Sequence, residues 1–177
     1  ATIDTPGEAN HVEVAANHAY VADGMGGLQI INLRRPTEPK IVASIKASRD
    51  IRSVHVLSNH AFAAEFTGGI SAIDIRNPSR PQVVGSIDTP GEAQSVYPLY
   101  NLLVVADGSH GLQLIDIRKP GSMRTVGAYI TPGETRSVFG LASRVYVTGL
   151  GFGVGVFDVI DRSRLNANGH FLVDIDR

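Results

Sequence analysis

The chain has 177 residues, 43% hydrophobic and 19% charged, with a formal net charge of −1, no cysteine and no tryptophan. This length builds one sizeable core or two small ones, and the hydrophobic fraction excludes a disordered chain. Without cysteine there are no disulfides, thiolate zinc sites or cysteine nucleophiles; near-neutral charge gives no reason to expect a nucleic-acid partner; and no run of 18 apolar residues exists to span a membrane as a helix.

The first ten residues, ATIDTPGEAN, have neither a basic start nor an apolar core, so no signal peptide is visible in them. Four strand-like runs follow: His11–Ala15, Ala19–Asp23, Leu28–Leu33 and Lys40–Ile45. Asp23-Gly24 supplies residues that tolerate positive φ between the second and third, and Pro36 and Pro39 break the chain before the fourth. The pattern then begins again. Ile45–Ile51 (IKASRDI) opens a second copy, divergent at its start, and its AEFTGGISAIDIRNP (64–78) matches ADGMGGLQIINLRRP (22–36). The third copy opens with IDTPGEA at Ile87–Ala93, identical to Ile3–Ala9, a shift of 84, or twice 42. It predicts strands Ser95–Leu99, Leu102–Asp107, Leu112–Ile117 and Arg124–Tyr129. The fourth opens at Tyr129, but its second turn reads Gly149-Leu-Gly-Phe-Gly153, it lacks the prolines, and its last strand is expected in Gly169–Asp174. No gap interrupts the frame. The copies span about 3–44, 45–86, 87–128 and 129–177, so residues 1–177 form one repeat array with no second domain.

The runs are apolar at nearly every position, as in Leu102-Leu-Val-Val-Ala106, where a half-buried strand would alternate. Both faces of each sheet must therefore be covered. Four-stranded antiparallel units of about 40–45 residues, covered on both faces by their neighbours, are the blades of a β-propeller. The fold expected is all-β, a propeller of four 42-residue blades. The run Leu112-Gln-Leu-Ile-Asp-Ile-Arg-Lys-Pro120, preceded by Val104-Val-Ala-Asp-Gly108, resembles the LVIVD repeat family, as do Tyr20–Gly24 and Ile70–Pro78. That resemblance implies a β-propeller, commonly of the cell surface or exterior, and implies no single activity. Each copy carries its own four strands, so the blades either close on themselves or form an arc of a larger ring, completed by a second copy (a homodimer) or by further blades. The bulky column Glu13, His55, Tyr97, Phe139 favours the arc over a tight fourfold ring.

Candidate site residues sort by position in the frame. Label the strands of each blade a to d. The d–a and b–c turns share one end of the blades, and the a–b and c–d turns share the other. The first end collects Glu8, Asp50, Glu92 and Glu134, with Arg52 and Arg136 beside them, together with Asp23, Glu65 and Asp107; the second collects Arg34, Arg35, Lys40, Arg76, Arg80, Arg118, Lys119, Arg124, Arg162 and Arg164. An acidic and a basic end follow. Strand a lines the axis, which brings His11, Glu13 and His55 forward as nitrogen and oxygen ligands for a metal. Asn32, Asp74, Asp116 and Asp158 end strand c, where an Asx side chain accepts backbone N–H groups of the following turn. None of the patterns G-x-S-x-G, H-E-x-x-H or the EF-hand loop occurs.

The function expected is a non-catalytic binding or scaffolding propeller, extracellular or at the cell surface. It has no cofactor, and its partner is a protein or surface polymer met through Glu8, Asp50, Glu92, Glu134, Arg52 and Arg136. The alternative is a metal-dependent, hydrolase-like enzyme with an axial site at His11, Glu13 and His55. Glycan binding is a weaker third reading, since tryptophan, a common platform for sugars, is missing.

Overall fold

The structure, a computed structural model, describes residues 1–46, 49–141, 144–161 and 164–166. Four four-stranded antiparallel sheets follow one another along the chain. Blade 1 holds β1 (His11–Ala15), β2 (His18–Ala22), β3 (Leu28–Asn32) and β4 (Lys40–Ile45). Blade 2 holds β5 (Ser53–Leu57), β6 (His60–Ala64), β7 (Ile70–Asp74) and β8 (Gln82–Ile87). Blade 3 holds β9 (Ser95–Leu99), β10 (Leu102–Ala106), β11 (Leu112–Asp116) and β12 (Arg124–Tyr129). Blade 4 holds β13 (Glu134–Leu141), β14 (Arg144–Leu150), β15 (Gly153–Asp161) and β16 (Arg164–Asn166). The expected four-blade propeller is what forms.

The strand faces follow from the frame. On β10 and β11 every residue is buried, because one side chain points to the preceding blade and the next to the following one. Tyr20, Ala22, Leu28 and Ile30 of blade 1 pack on Val54, Ala61, Ala63 and Ile73 of blade 2. Phe62, Ala64, Ile70 and Ala72 pack on Val96, Leu103, Val105 and Ile115. Val104, Ala106, Leu112 and Leu114 pack on Val138, Val145, Val147 and Phe157. Each such buried Val, Leu or Ile stabilises by about 1.5–3 kcal/mol relative to exposure. Between strands c and d of blades 1, 2 and 3 the register slips at one frame position, Ile30/Ile31, Ala72/Ile73 and Leu114/Ile115. This repeated bulge adds local twist to each outer strand.

The turns are built as their residues dictate. Gly24 and Gly108 adopt φ of 58°, the left-handed region that Gly enters without strain. Phe66 occupies the same place in blade 2 at φ 47°, with the Arg52 guanidinium 4.9 Å from its ring. The Asx role holds in blades 1 to 3: Asn32 Oδ1 accepts the Arg34 N–H at 2.9 Å, Asp74 Oδ1 that of Arg76 at 2.9 Å, and Asp116 Oδ1 that of Arg118 at 3.1 Å, whereas Asp158 lies inside the third strand of blade 4 and accepts from Arg144 Nε at 3.0 Å.

Blade 4 differs, and its missing prolines explain how. Strand β15 runs nine residues where β3, β7 and β11 run five, and it pairs antiparallel with β16. Its described fourth strand is therefore Arg164–Asn166; Gly169–Asp174, where that strand was expected, lies outside the described residues.

Candidate functional site

The innermost strands lie side by side in chain order, β1 on β5, β5 on β9 and β9 on β13. Adjacent members of one frame column therefore meet. Glu13 Oε1 lies 3.6 Å from His55 Nδ1, the His55 ring meets Tyr97 edge-on at 4.7 Å, and Tyr97 meets Phe139 at 5.2 Å. The His11 ring is 6.0 Å from that of His55, and its Nδ1 is buried with no hydrogen-bond partner. Burial, with His11 adding to it, pulls the His55 imidazole down to about 4, and burial pushes the Glu13 carboxyl up against the opposing pull of His11. His55 is thus neutral at pH 7. The three residues proposed as metal ligands are neighbours, but among the described residues no three His, Asp or Glu side chains are arranged to hold a metal ion. The column is a polar and aromatic ladder along the axis.

At the end carrying the d–a and b–c turns, the binding candidates pair with their own strands. Asp50 bonds Arg52 at 2.6 Å, Glu134 lies 3.6 Å from Arg136, and Glu92 accepts from Gln94 at 3.4 Å. Glu8 is exposed, and Asn10, two residues on, donates to the Ile51 carbonyl at 3.1 Å. Asp23 and Asp107 are wholly buried, so the acidic surface expected of them is not there. Each anchors a loop instead. Asp23 accepts from Thr5 Oγ1 at 2.6 Å and the Gly7 N–H at 2.9 Å, and Asp107 accepts the Gly91 N–H at 3.0 Å. Burial raises the Asp107 carboxyl, countered by the hydrogen bond from the Gly91 N–H. With Arg49, Arg52 and Arg136 also present, charge at this end is mixed. The opposite end keeps its basic side chains, but Arg76 and Arg118 fork onto Asp74 and Asp116. These hydrogen bonds hold Asp74 at about 2 and place Asp116 lower still. Arg162 lies outside the described residues.

The sequence reading missed a cleft of ≈ 450 Å³ at the rim of blade 2, between the loop entering that blade and its own b–c turn. In the other blades the entering loop docks tightly. A Cβ on Gly7 would lie 2.1 Å from the Asp23 carbonyl, one on Gly91 2.2 Å from that of Asp107, and one on Gly133 1.9 Å from that of Leu150. Only glycine permits that approach. Blade 2 carries Arg49 at this position, whose side chain lies against Gly68 and Thr67 of the turn in place of that backbone approach. Asp23 and Asp107 become Glu65, and Gln29 and Gln113, which donate to the Gly26 and His110 carbonyls, become the short Ser71. The cleft has an apolar floor that includes Ile51 and Ile73, and a rim of Lys46 and Arg49 facing Glu65 and Asp88. Arg49 donates to Thr67 across the rim at 3.1 Å. The signal in the sequence was the divergence of Ile45–Ile51 from its three sister segments.

The LVIVD repeat model matches this chain three times, over residues 6–46, 48–89 and 90–131. No curated protein matches. Among solved structures, the chain superposes on Sqt1 of Saccharomyces cerevisiae with a TM-score of 0.72 at 8% identity, covering 91% of this chain and 48% of that one. On the Cps50 (Swd1) β-propeller domain of Myceliophteria thermophila the TM-score is 0.69 at 13% identity, covering 89% and 56%. On the computationally designed Ika4 protein it is 0.70 at 12% identity, covering 88% and 94%. The chain spans about half the length of the first two.

Proposed function

The chain belongs to the LVIVD repeat family, and from that premise we propose that it is a non-catalytic binding propeller whose recognition site is the blade 2 cleft. The observation that carries this reading is the concentration of departures from the repeat at one place. Arg49, Glu65 and Ser71 break the frame and line a single opening, and Phe66, which also breaks it, follows Glu65 in the same turn. A structural role recurs in every blade, whereas a site is a departure at one. Phe66 adds a strained non-glycine φ, a feature that clusters at binding sites. An apolar floor between a cationic and an anionic rim suits a protein segment that presents an apolar side chain flanked by both charges. A location outside the cell or on its surface accompanies this reading and is supported by the family likeness alone.

A peptide library selected on the immobilised protein tests it. The expected enrichment is of apolar residues beside acidic and basic ones, and Ser71→Gln, which refills the cleft as Gln29 does in blade 1, should weaken those peptides at least tenfold. Enrichment that survives Ser71→Gln unchanged would place recognition elsewhere.

A further inference from the structure

The two outer faces of the array are halves of the contact that joins every blade to the next. At each internal junction the leading blade offers Tyr20, Phe62 or Val104, and the trailing blade offers Val54, Val96 or Val138. All six are buried to 5% exposure or less. Their frame equivalents at the ends are Tyr146, half-buried on blade 4, and Val12, 55% exposed on blade 1. Along the axis the same holds. The Tyr97 ring packs on Gly140, where an added Cβ would lie 2.4 Å from it. The equivalents are Phe139 on blade 4 and Val14 on blade 1, 54% and 61% exposed. Ile3 already covers the outer part of blade 1, packing on Ala19, Val21 and Ile31 as Ile45 packs at the first junction. No apolar cluster joins blade 4 to blade 1 among the described residues.

We propose that a second copy of this chain covers both faces, blade 4 of each copy docking on blade 1 of the other to complete one ring of eight blades. Three observations single out that occupant. The two faces are complementary by the same frame rule as the three internal junctions, so the partner surface each requires is the one this chain carries at its other end. The contact is head-to-tail and closes after two copies under a twofold axis, leaving no face over. Among the described residues β13 does not pack on β1 as β5 packs on β1, β9 on β5 and β13 on β9, so the fourth junction is not made within the chain. Val12 and Val14 on blade 1 and Phe139 and Leu141 on blade 4 stay exposed, and clustered apolar side chains of this kind mark an interface. The axial ladder is then continuous, with Phe139 of one copy reaching the Val14 and Glu13 end of the other.

The chain has no cysteine, so introduced thiols report cleanly. The double variant Val14→Cys/Phe139→Cys is treated with a short bismaleimide and run on a denaturing gel beside each single variant. Both positions are exposed, so the array folds in each case. The expected product is a covalent species of twice the 18.8 kDa chain from the double variant and almost none from the singles. An intramolecular cross-link means that four blades close on themselves, a ladder of higher species means an interface that does not close, and labelled thiols on an uncoupled monomer mean that no second copy docks. Each of these overturns the two-copy ring. Sedimentation of the unmodified chain gives an independent reading, with a dimer expected and Phe139→Glu shifting it to monomer.

Discussion

At the scale of single residues the repeat tells structural side chains from the rest by what they bond. Asp116 holds the backbone N–H of Arg118 and both of its guanidinium arms, and Arg124 approaches it at 3.3 Å. Replacing Asp116 with Ala should therefore cost about 0.5–2 kcal/mol in urea unfolding, as loss of a capping side chain does. Asp116→Asn, which keeps the backbone acceptor, should cost less, and an unchanged midpoint for the Ala variant would refute the turn role. His55 makes a second prediction. Its folded pKa of about 4 lies below the free value of 6.5, so between those pH values the unfolded chain binds the proton more readily. The stability tied to a neutral His55 is fully present above pH 6.5 and is lost progressively as pH falls toward 4. Glu13, raised by burial, takes up a proton more readily in the folded chain and opposes this, so the interval from pH 6.5 to 4 is read in a Glu13→Gln background. The melting temperature should fall across it, with an eventual loss on the order of 1–3 kcal/mol by pH 4, and His55→Gln should flatten the slope. An identical slope in that variant would assign the pH dependence to other groups.

At the scale of elements, the docking of each entering loop on its own b–c turn connects glycine to blade geometry. Gly91→Ala forces a Cβ against the Asp107 carbonyl, so the loop must lift and lose the Gly91 hydrogen bond to the Asp107 side chain. A destabilisation of about 1–3 kcal/mol is expected in denaturant titration. A Gly91→Ala variant as stable as the parent would show that the loop is not held there. The same junction marks where the sequence was legible and where it was not. Strand positions, turn positions and the Asx column were readable because each depends on local chemistry repeated at a fixed spacing, as in Asp74 followed by Arg76 and Asp116 followed by Arg118. The meeting of His11, Glu13 and His55 was readable too, since strand a of one blade lies against strand a of the next. The burial of Asp23 and Asp107 was not, because only the folded loop shows a carboxylate tied to Thr5 and Gly7 rather than facing water. The cleft was hidden for the same reason: Arg49 is an ordinary loop residue until Gly7, Gly91 and Gly133 are seen pressed against backbone. In blade 4 the absence of proline was visible, but its consequence, a c strand of nine residues, needed the register.

For the whole molecule, stability is a sum over blades and the junctions between them, as in other arrays where each repeat touches only its neighbours. Blades 2 and 3 each have two junctions within the chain, and blades 1 and 4 have one. The difference shows in burial: β10 and β11 are buried throughout, whereas β14 alternates, with Val145 and Val147 buried against blade 3 and Arg144, Thr148 and Leu150 exposed. Opening blade 4 therefore breaks one apolar junction, while opening blade 3 breaks two. Amide hydrogen exchange should follow that order, with Val104 and Leu114 the slowest and Tyr146 and Val156 exchanging much faster. The test is exchange measured by mass spectrometry at two protein concentrations. At high dilution the gradient between blades 3 and 4 should be steep. If the outer faces are covered by a second copy, raising the concentration should slow exchange in blades 1 and 4 and leave blades 2 and 3 almost unchanged, because mass action stabilises only the junctions that association creates. Uniform protection along the chain at every concentration would mean that the four blades open as one cooperative unit and that the junctions are too strong for the ends to act independently.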